Sequence, residues 1–187
     1  MVSLPSSGEH AYAMITLRPV TAADAPAIAA AVDQSRHELR RWMPWAQGNY
    51  DIESAKAWID ASLATATAGT GFQFVILDES EAIVGVVGLE GMSEHSDRAM
   101  IGYWVATPAA GRGVGRQAVE WVIAWARTQP RLHVLWAVVA EVNAASRRVL
   151  EVNHFRLVAT RGIDERGDLA LLYELDLRLA NPNTHRG

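Results

Sequence analysis

Ile101–Gly102–Tyr103–Trp104–Val105–Ala106–Thr107–Pro108–Ala109–Ala110–Gly111–Arg112–Gly113–Val114–Gly115–Arg116 is the stretch on which the fold turns. It is an apolar strand that runs into a glycine-rich loop and then opens a helix. The helix shows in the stripe Val114, Ala118, Val122 and Trp125, at helical spacing between about Gly113 and Thr128. Glycines in a first helical turn leave main-chain N–H groups uncovered, and the helix dipole adds positive potential there. Such a corner cradles a pyrophosphate without a lysine, and Arg112 and Arg116 stand ready to add charge.

Two phosphate-binding patterns fit poorly. A P-loop needs Lys–Ser or Lys–Thr after its last glycine, where this chain has Arg116–Gln117. A dinucleotide fingerprint needs glycine in place of Arg116 and a strand that opens a βαβ series. A plain glycine-rich turn before an amphipathic helix remains open on these residues alone.

Upstream, Met14 to Arg18 reads as a short strand ended by Pro19. Asp24 is a candidate N-cap for an alanine-rich helix to about Leu39, with Pro26 in its first turn. Asp51 caps a second helix in which Ile52, Ala55, Ile59 and Leu63 recur at helical spacing. Phe72 to Leu77 and Ala82 to Leu89 flank Asp78–Glu79–Ser80–Glu81, a hairpin signal, and Ala99 to Val105 is a third strand. Downstream, Val134 to Ala140 reads as a strand buried on both sides. Ala144 to Val152 reads as a short helix, and Leu169 to Leu177 as a final strand. Three strands followed by strand–helix–strand–helix–strand imply a mixed α/β sheet.

Composition bounds the partners. The 187 residues suit one domain, 1–187, with an ordered core of about 12–180 and flexible ends at 1–11 and 181–187. A net charge of −4, with Lys56 the only lysine, argues against broad nucleic-acid binding, which needs a basic face. The apolar runs stop short of a membrane span, no export signal opens the chain, and a cytoplasmic location is the default expectation. There is no cysteine, so thiolate chemistry is excluded, and the six histidines show no metal-ligand spacing, so no metal is expected.

The strand Ile101 to Val105, the loop Gly111–Arg112–Gly113–Val114–Gly115 and the segment Asn143–Ala144–Ala145–Ser146–Arg147 through Phe155 together resemble the GNAT acetyltransferases. Leu39–Arg40–Arg41–Trp42–Met43–Pro44–Trp45 is similar to the aromatic element of their RimJ/RimL-like branch, which acetylates protein N-termini and related amines, and Leu17–Arg18–Pro19 to its opening strand. The similarity runs in order from about Leu17 to Leu177. It implies a mixed, mostly antiparallel sheet with helices on both faces, whose strands Ala99 to Val105 and Val134 to Ala140 splay apart around acetyl-CoA. The cofactor-binding residues it implies are Val105, Ala106, Thr107, Gly111, Arg112, Gly113, Val114, Gly115, Arg116 and Asn143, with an oxyanion-binding N–H near Val105. It also implies a homodimer and an amine acceptor, either a peptide N-terminus or a small molecule such as a polyamine or antibiotic. Three positions depart from the family: Ala110 replaces Gln or Arg, Leu150 replaces an acid-donating tyrosine, and Asn153–His154 replaces Leu–Gly and suggests a differently shaped turn.

Acetyl transfer to an amine needs a base, an oxyanion site and a way to stabilise the leaving thiolate. Approximation of two bound substrates makes direct attack sufficient. Glu90, after the strand Ile83 to Leu89 and at the end expected to face the acetyl group, is the first candidate base. Glu141, just past Ala140, is its rival. A solvated strand-end carboxylate and a loop charge are the plain readings of the two. Ser146 is the nearest hydroxyl for the acid, with Tyr103 as an alternative that otherwise packs in or beside the core. Asn143 is placed to cap the helix containing Ser146 and, by resemblance, to contact the pantetheine arm or the acceptor. Trp42 and Trp45, separated by Met43–Pro44, either wall an acceptor pocket or fill core. Trp121, Trp125 and Trp136 read as packing. Loss of the tyrosine at Leu150 leaves a second reading, a non-catalytic acyl-CoA-binding module.

Overall fold

The computed structural model describes residues 15–164 and 167–179. Apolar strands with tight turns build its N-terminal half. Thr16–Pro19 is β1, Gly71–Leu77 is β2 and Ile83–Glu90 is β3. The β2–β3 turn forms on Asp78, whose carboxylate accepts from the N–H groups of Ser80 and Ala82 at 2.9 and 3.0 Å. β4 is Arg98–Val105, β5 Val134–Ala140, β6 Arg156–Ile163 and β7 Leu169–Asp176. The strands form one sheet in the order β1-β2-β3-β4-β5-β7-β6, and β4–β5 is its one parallel neighbour pair.

Alternation along the strands divides the core in two. Val75 and Val86 point to one face, where α1 (Ala25–Leu39) and α2 (Ile52–Ala68) cover them with Ile28, Val32 and Ile59. Val87, Leu89, Ile101 and Leu135 point to the other face. There α3 (Val114–Ala126) and α4 (Ala144–Val152) bring Val119, Val122 and Leu150. Helices therefore lie on both faces of a mostly antiparallel sheet, as expected.

The β4–β5 pair is incomplete. Arg98, Ala99 and Met100 pair with Val134, Leu135 and Trp136, and the pairing stops there. β4 stays on β3 as far as Val105, and β5 stays on β7 as far as Ala140. The two strands thus form a V, closed at Met100–Trp136 and open toward Val105 and Ala140. An ion pair from Arg98 on β4 to Glu174 on β7 spans β5 at the closed end.

Several local expectations need correction. Asp24 does not cap α1 with its side chain. It is buried at the end of a one-turn 3₁₀ segment, where it accepts from Thr21 N–H at 2.7 Å and pairs with Arg18. In α2 the buried stripe is Ala55, Ile59 and Ser62, while Ile52 and Leu63 face solvent. β5 is not buried on both sides: Val138 is 44% exposed, and among the described residues no helix covers that half of the α1/α2 face. β6 was not expected as a strand. All eight of its residues are exposed, so it lacks the alternation that reveals a strand in sequence. The turn at Asn153–His154 keeps a left-handed residue, His154 at φ 67°, where glycine would sit without strain. The ends at 1–11 and 181–187 lie outside the described residues.

Candidate active site

The open half of the V exposes main chain. Ala106 N–H donates to Val84 O at 2.8 Å, so Ala106 is a hydrogen-bonded partner of β3. By antiparallel alternation Trp104 and Gly102 are also partners, and the N–H and C=O groups of Val105 and Tyr103 point into the gap. Extended main chain with free donors and acceptors is a template for a ligand that itself carries amides. The N–H of Val105, the expected oxyanion donor, is one of these groups. Ala106, bonded to β3, is not.

The glycine loop stands at the mouth of the V. Gly111 and Gly113 have φ of 76° and 82°, which glycine adopts without penalty. Gly113 is the N-cap of α3 and has no side chain to cap the first turn, and among the described residues no side chain is seen to accept from the N–H groups of Val114 or Gly115. A methyl group on Gly111 would meet nothing within 4 Å, so the space before the loop is open. A methyl on Gly115 would lie 3.5 Å from Val105 and 3.6 Å from Val149, which sets the α3 turn directly against β4 and α4. Arg112 is near Asp78 of the β2–β3 turn. There the Ser80 hydroxyl, and to a lesser degree Arg112, hold that carboxyl below its ordinary range. Thr107, expected at the cofactor, gives its N–H to the buried Ser35 of α1 at 2.9 Å and so anchors the loop.

One side chain crosses the gap on the α3/α4 face. Tyr103 Oη is 2.9 Å from Ser146 Oγ and 3.1 Å from Ser146 O. Burial pushes its phenol up to about 12, opposed only in part by the Ser146 bond. Asn143 accepts the Ser146 N–H on its side-chain oxygen at 3.1 Å, so it caps α4 as expected. Leu150 is fully buried in the core, and no hydroxyl stands at that position.

The opposite face carries different chemistry. Glu90 ends β3 beside Met100, at the closed end of the V, and accepts from Gln73 Nε2 at 3.0 Å. Glu141 lies beyond Ala140 at the open end, about 16 Å away along five strand residues at ~3.3 Å each. The two carboxylates are not brought together. Trp45 is 42% exposed and packs at 5.2 Å from Tyr50 and 6.3 Å from Trp104, forming an aromatic wall beside β4. Trp42 stacks with the Arg41 guanidinium at 5.3 Å. Of the expected packing residues, Trp125 is buried and Trp121 packs on the α3/α4 core, but Trp136 lines an open groove with Arg98, Arg161, Leu172 and Glu174.

Four contributors were missed in the sequence: Ser35, Tyr50, Trp104 and Asn153. Trp104 was legible, because adjacent strand residues point to opposite faces and Tyr103 had already claimed one. Asn153 donates its amide to Arg116 O at 3.2 Å and Val149 O at 2.9 Å, bracing α4 against the first turn of α3. No sequence signal marks that contact.

Among the described residues no group of three or more His, Cys, Asp or Glu side chains gathers as a metal site, and no helix is long and apolar enough to cross a membrane. No curated protein matches the chain by sequence. By structure the chain is similar to RimJ of Mycobacterium smegmatis in complex with a CoA disulfide, at 26% identity and TM-score 0.79, over 87% of this chain and 81% of that one. It is similar to RimL, the ribosomal L7/L12 α-N-protein acetyltransferase in complex with CoA, at 20% identity and TM-score 0.81, over 87% and 93%. Spermidine N-acetyltransferase from Vibrio cholerae, in complex with CoA and spermine, is similar at 17% identity and TM-score 0.72, over 87% and 95%. Residues 14–156 match the acetyltransferase (GNAT) domain model. With a V-shaped sheet and a glycine-capped helix at its mouth, the chain belongs to the GNAT family of N-acetyltransferases.

Proposed function

We propose that this chain, as a single domain, takes the acetyl group of acetyl-CoA and gives it to a primary amine by direct attack, with a protein or peptide N-terminus as acceptor. The observation that carries this reading is the unpaired half of β4–β5 with the uncapped turn of α3 at its mouth. Those residues fit CoA: the amides of Val114 and Gly115 suit a diphosphate, and the gap-facing main chain of Tyr103 and Val105 suits an amide-bearing arm. Acetyl-CoA supplies the activated acyl group. The Val105 and Tyr103 amides then hold the arm and the developing oxyanion. Glu90, the first candidate base, ends β3 at the closed end, three to five strand residues from the Tyr103 and Val105 amides. It takes the proton of the attacking amine through a chain of waters, and Glu141, at the open end, is its rival. Ser146 donates a hydrogen bond to the departing sulfur. Trp45 and Trp104 wall the acceptor, with Trp42 at the rim.

A small-amine acceptor is the second reading, supported by likeness to a spermidine enzyme and by the Glu90 carboxylate at the end of β3. A homodimer in the cytoplasm belongs to the same proposal. Support for pairing comes from the exposed edge strand β6, with Leu157, Val158 and Ile163 at the surface.

Calorimetry with CoA, followed by mass spectrometry after incubation with acetyl-CoA and a mixed panel of peptides and polyamines, tests the reading. Acetylated peptide α-amines support it. Acetylated polyamines alone move the assignment to the small-amine reading. CoA binding without thioester consumption leaves the binding module, and no CoA binding refutes all three.

A further inference from the structure

The proposed reaction leaves the sulfur of CoA with a full negative charge, and α4 offers leucine where a hydroxyl would help. A phenol reaches that end of the gap by another route. Tyr103 comes from β4 and crosses the open V to the first turn of α4, where its Oη meets Ser146 Oγ and Ser146 O. The phenol has one hydrogen and two acceptors in reach, so two arrangements exist. In the first, Tyr103 donates to the Ser146 carbonyl and Ser146 Oγ–H donates back to Oη, which turns the serine hydrogen away from the gap. In the second, Tyr103 donates to Ser146 Oγ and frees the serine hydrogen to face the gap.

Resting on the acetyltransferase reading above, we infer that Tyr103 is a positioning residue for Ser146: it holds the serine hydroxyl as a donor aimed at the leaving thiolate. A charge-assisted bond is about twice as strong as a neutral one, so an anion in the gap favours the second arrangement. The amine nitrogen forms its bond to the acetyl carbon, the carbon–sulfur bond breaks, and its electron pair stays on sulfur. The nitrogen proton goes to the base and on to solvent, and the thiolate later takes a proton from water. Neither Tyr103 nor Ser146 ionises. Burial keeps the phenol neutral, and a thiol of ordinary pKa near ~8.5 is too weak a base as its anion to deprotonate it. The pair thus acts as fixed solvation rather than as a proton source, which is how buried donors stabilise an anion without reorganising.

Charged residues flank this pair on α3, α4, β3 and β4, with Arg112 and Glu141 on the adjoining loops. On α4, Arg147 is turned to Tyr173 Oη at 3.3 Å, the Glu141 carbonyl at 3.1 Å and Glu151 at 3.8 Å, while Arg148 follows it on the same helix. On α3, Arg116 and Glu120 are the charged residues of the first two turns. On β3 and β4 the charged residues, Glu90 and Arg98, stand at the closed end.

The test reads the ionisation of bound CoA thiol by its thiolate ultraviolet absorbance, in the intact protein and without an acceptor. In the wild type the bound thiol ionises below free CoA. Ser146→Ala raises its pKa by about one unit, a tenfold change in the ionisation constant. Tyr103→Phe raises it similarly, and the double variant raises it no further than Ser146→Ala. Calorimetry with CoA at neutral pH, where the thiol is protonated, changes by less than about twofold in every variant. An unchanged thiol pKa in folded Tyr103→Phe overturns the inference while leaving the acetyltransferase reading intact, and so does an additive double variant. A wild type that does not bind CoA removes both. Tyr103→Leu, judged by the same titration, guards against a phenylalanine ring that keeps Ser146 in place by packing alone.

Discussion

Ser35 Oγ, buried in the middle of α1, accepts the N–H of Thr107 at 2.9 Å. This bond ties the α1/α2 layer to the loop that leads from β4 to the glycine turn. It also commits the Thr107 N–H to the protein's own packing. Ser35→Ala removes the acceptor of the part-buried Thr107 N–H, which costs about 0.5–1.5 kcal/mol. For a chain of this size that lowers Tm by about 2–4 °C per kcal/mol. Calorimetric melting measures the loss, and CoA titration of the same variant is expected to weaken, since the loop feeding α3 loses its anchor.

Gly113→Glu places a carboxylate where the N-cap of α3 faces the gap. The helix dipole welcomes that charge, but the left-handed φ of 82° strains any side chain there by about 1–2 kcal/mol. Gly113→Gln carries the same strain without the charge, so the difference between the two variants reads the carboxylate standing in the proposed phosphate position. CoA affinity is expected to fall about a hundredfold or more, equivalent to about 2.7 kcal/mol. Unchanged affinity in a folded variant, by calorimetry and circular dichroism, would show that the diphosphate binds elsewhere.

The layer of helices, the glycine loop and most strands were legible because they carry local signals. Val114, Ala118, Val122 and Trp125 spell a helix by spacing alone, and all four are buried. The capping roles of Asp51 and Asn143 follow from their places before helices, and both side chains accept the expected N–H. What stayed hidden depends on sheet order. Nothing local tells that β5 lies between β4 and β7, with one face left bare at Val138, or that Arg156–Ile163 adds an edge strand. The same holds for the site. Tyr103 and Ser146 are 43 positions apart, and only the splayed pairing of β4 and β5 brings them within hydrogen-bond reach. Glu90 and Glu141 look equivalent as strand-end carboxylates, yet strand direction puts them at opposite ends of the V.

Asp24 sets an acid limb on stability. Hydrogen bonds from Arg18, with help from Thr21, hold its carboxyl below the ordinary range against the cost of burial. A carboxyl lowered in the folded state stabilises fully above its unfolded value near ~3.9, and the contribution disappears as pH falls through the folded value. Asp24→Asn therefore costs about 1–2 kcal/mol at neutral pH, where the half-exposed Arg18 falls back on water. The gap between variant and wild type closes as pH drops below about 4, which urea melts across that range will follow.

His154 holds φ at 67°, a conformation that costs a side-chain-bearing residue about 1–2 kcal/mol. Glycine removes that strain but loosens the unfolded chain, which returns roughly 0.4–1 kcal/mol of the gain. His154→Gly is thus expected to stabilise the protein by about 0.5–1 kcal/mol without altering CoA affinity. A lower melting temperature would mean that the imidazole, which lines the groove beside Arg116 and Glu120, makes contacts worth more than the strain.

Trp45 separates two readings of the aromatic segment. Its ring leans on Tyr50 and Trp104, yet 42% of the residue stays exposed on the face where Glu90 ends β3. A residue that fills core loses about 3–5 kcal/mol on truncation to alanine, through lost contacts and the cavity left behind. A ring with open surface leaves no sealed cavity, so Trp45→Ala is expected to cost well under that, about 1–2 kcal/mol. Its main effect then falls on the acceptor: KM for the amine rises while KM for acetyl-CoA stays, because the proposed donor site lies at the α3 turn, on the other face. If melting drops as for a core residue and both KM values hold, Trp45 is packing, and the acceptor wall has to be sought around Trp136 instead.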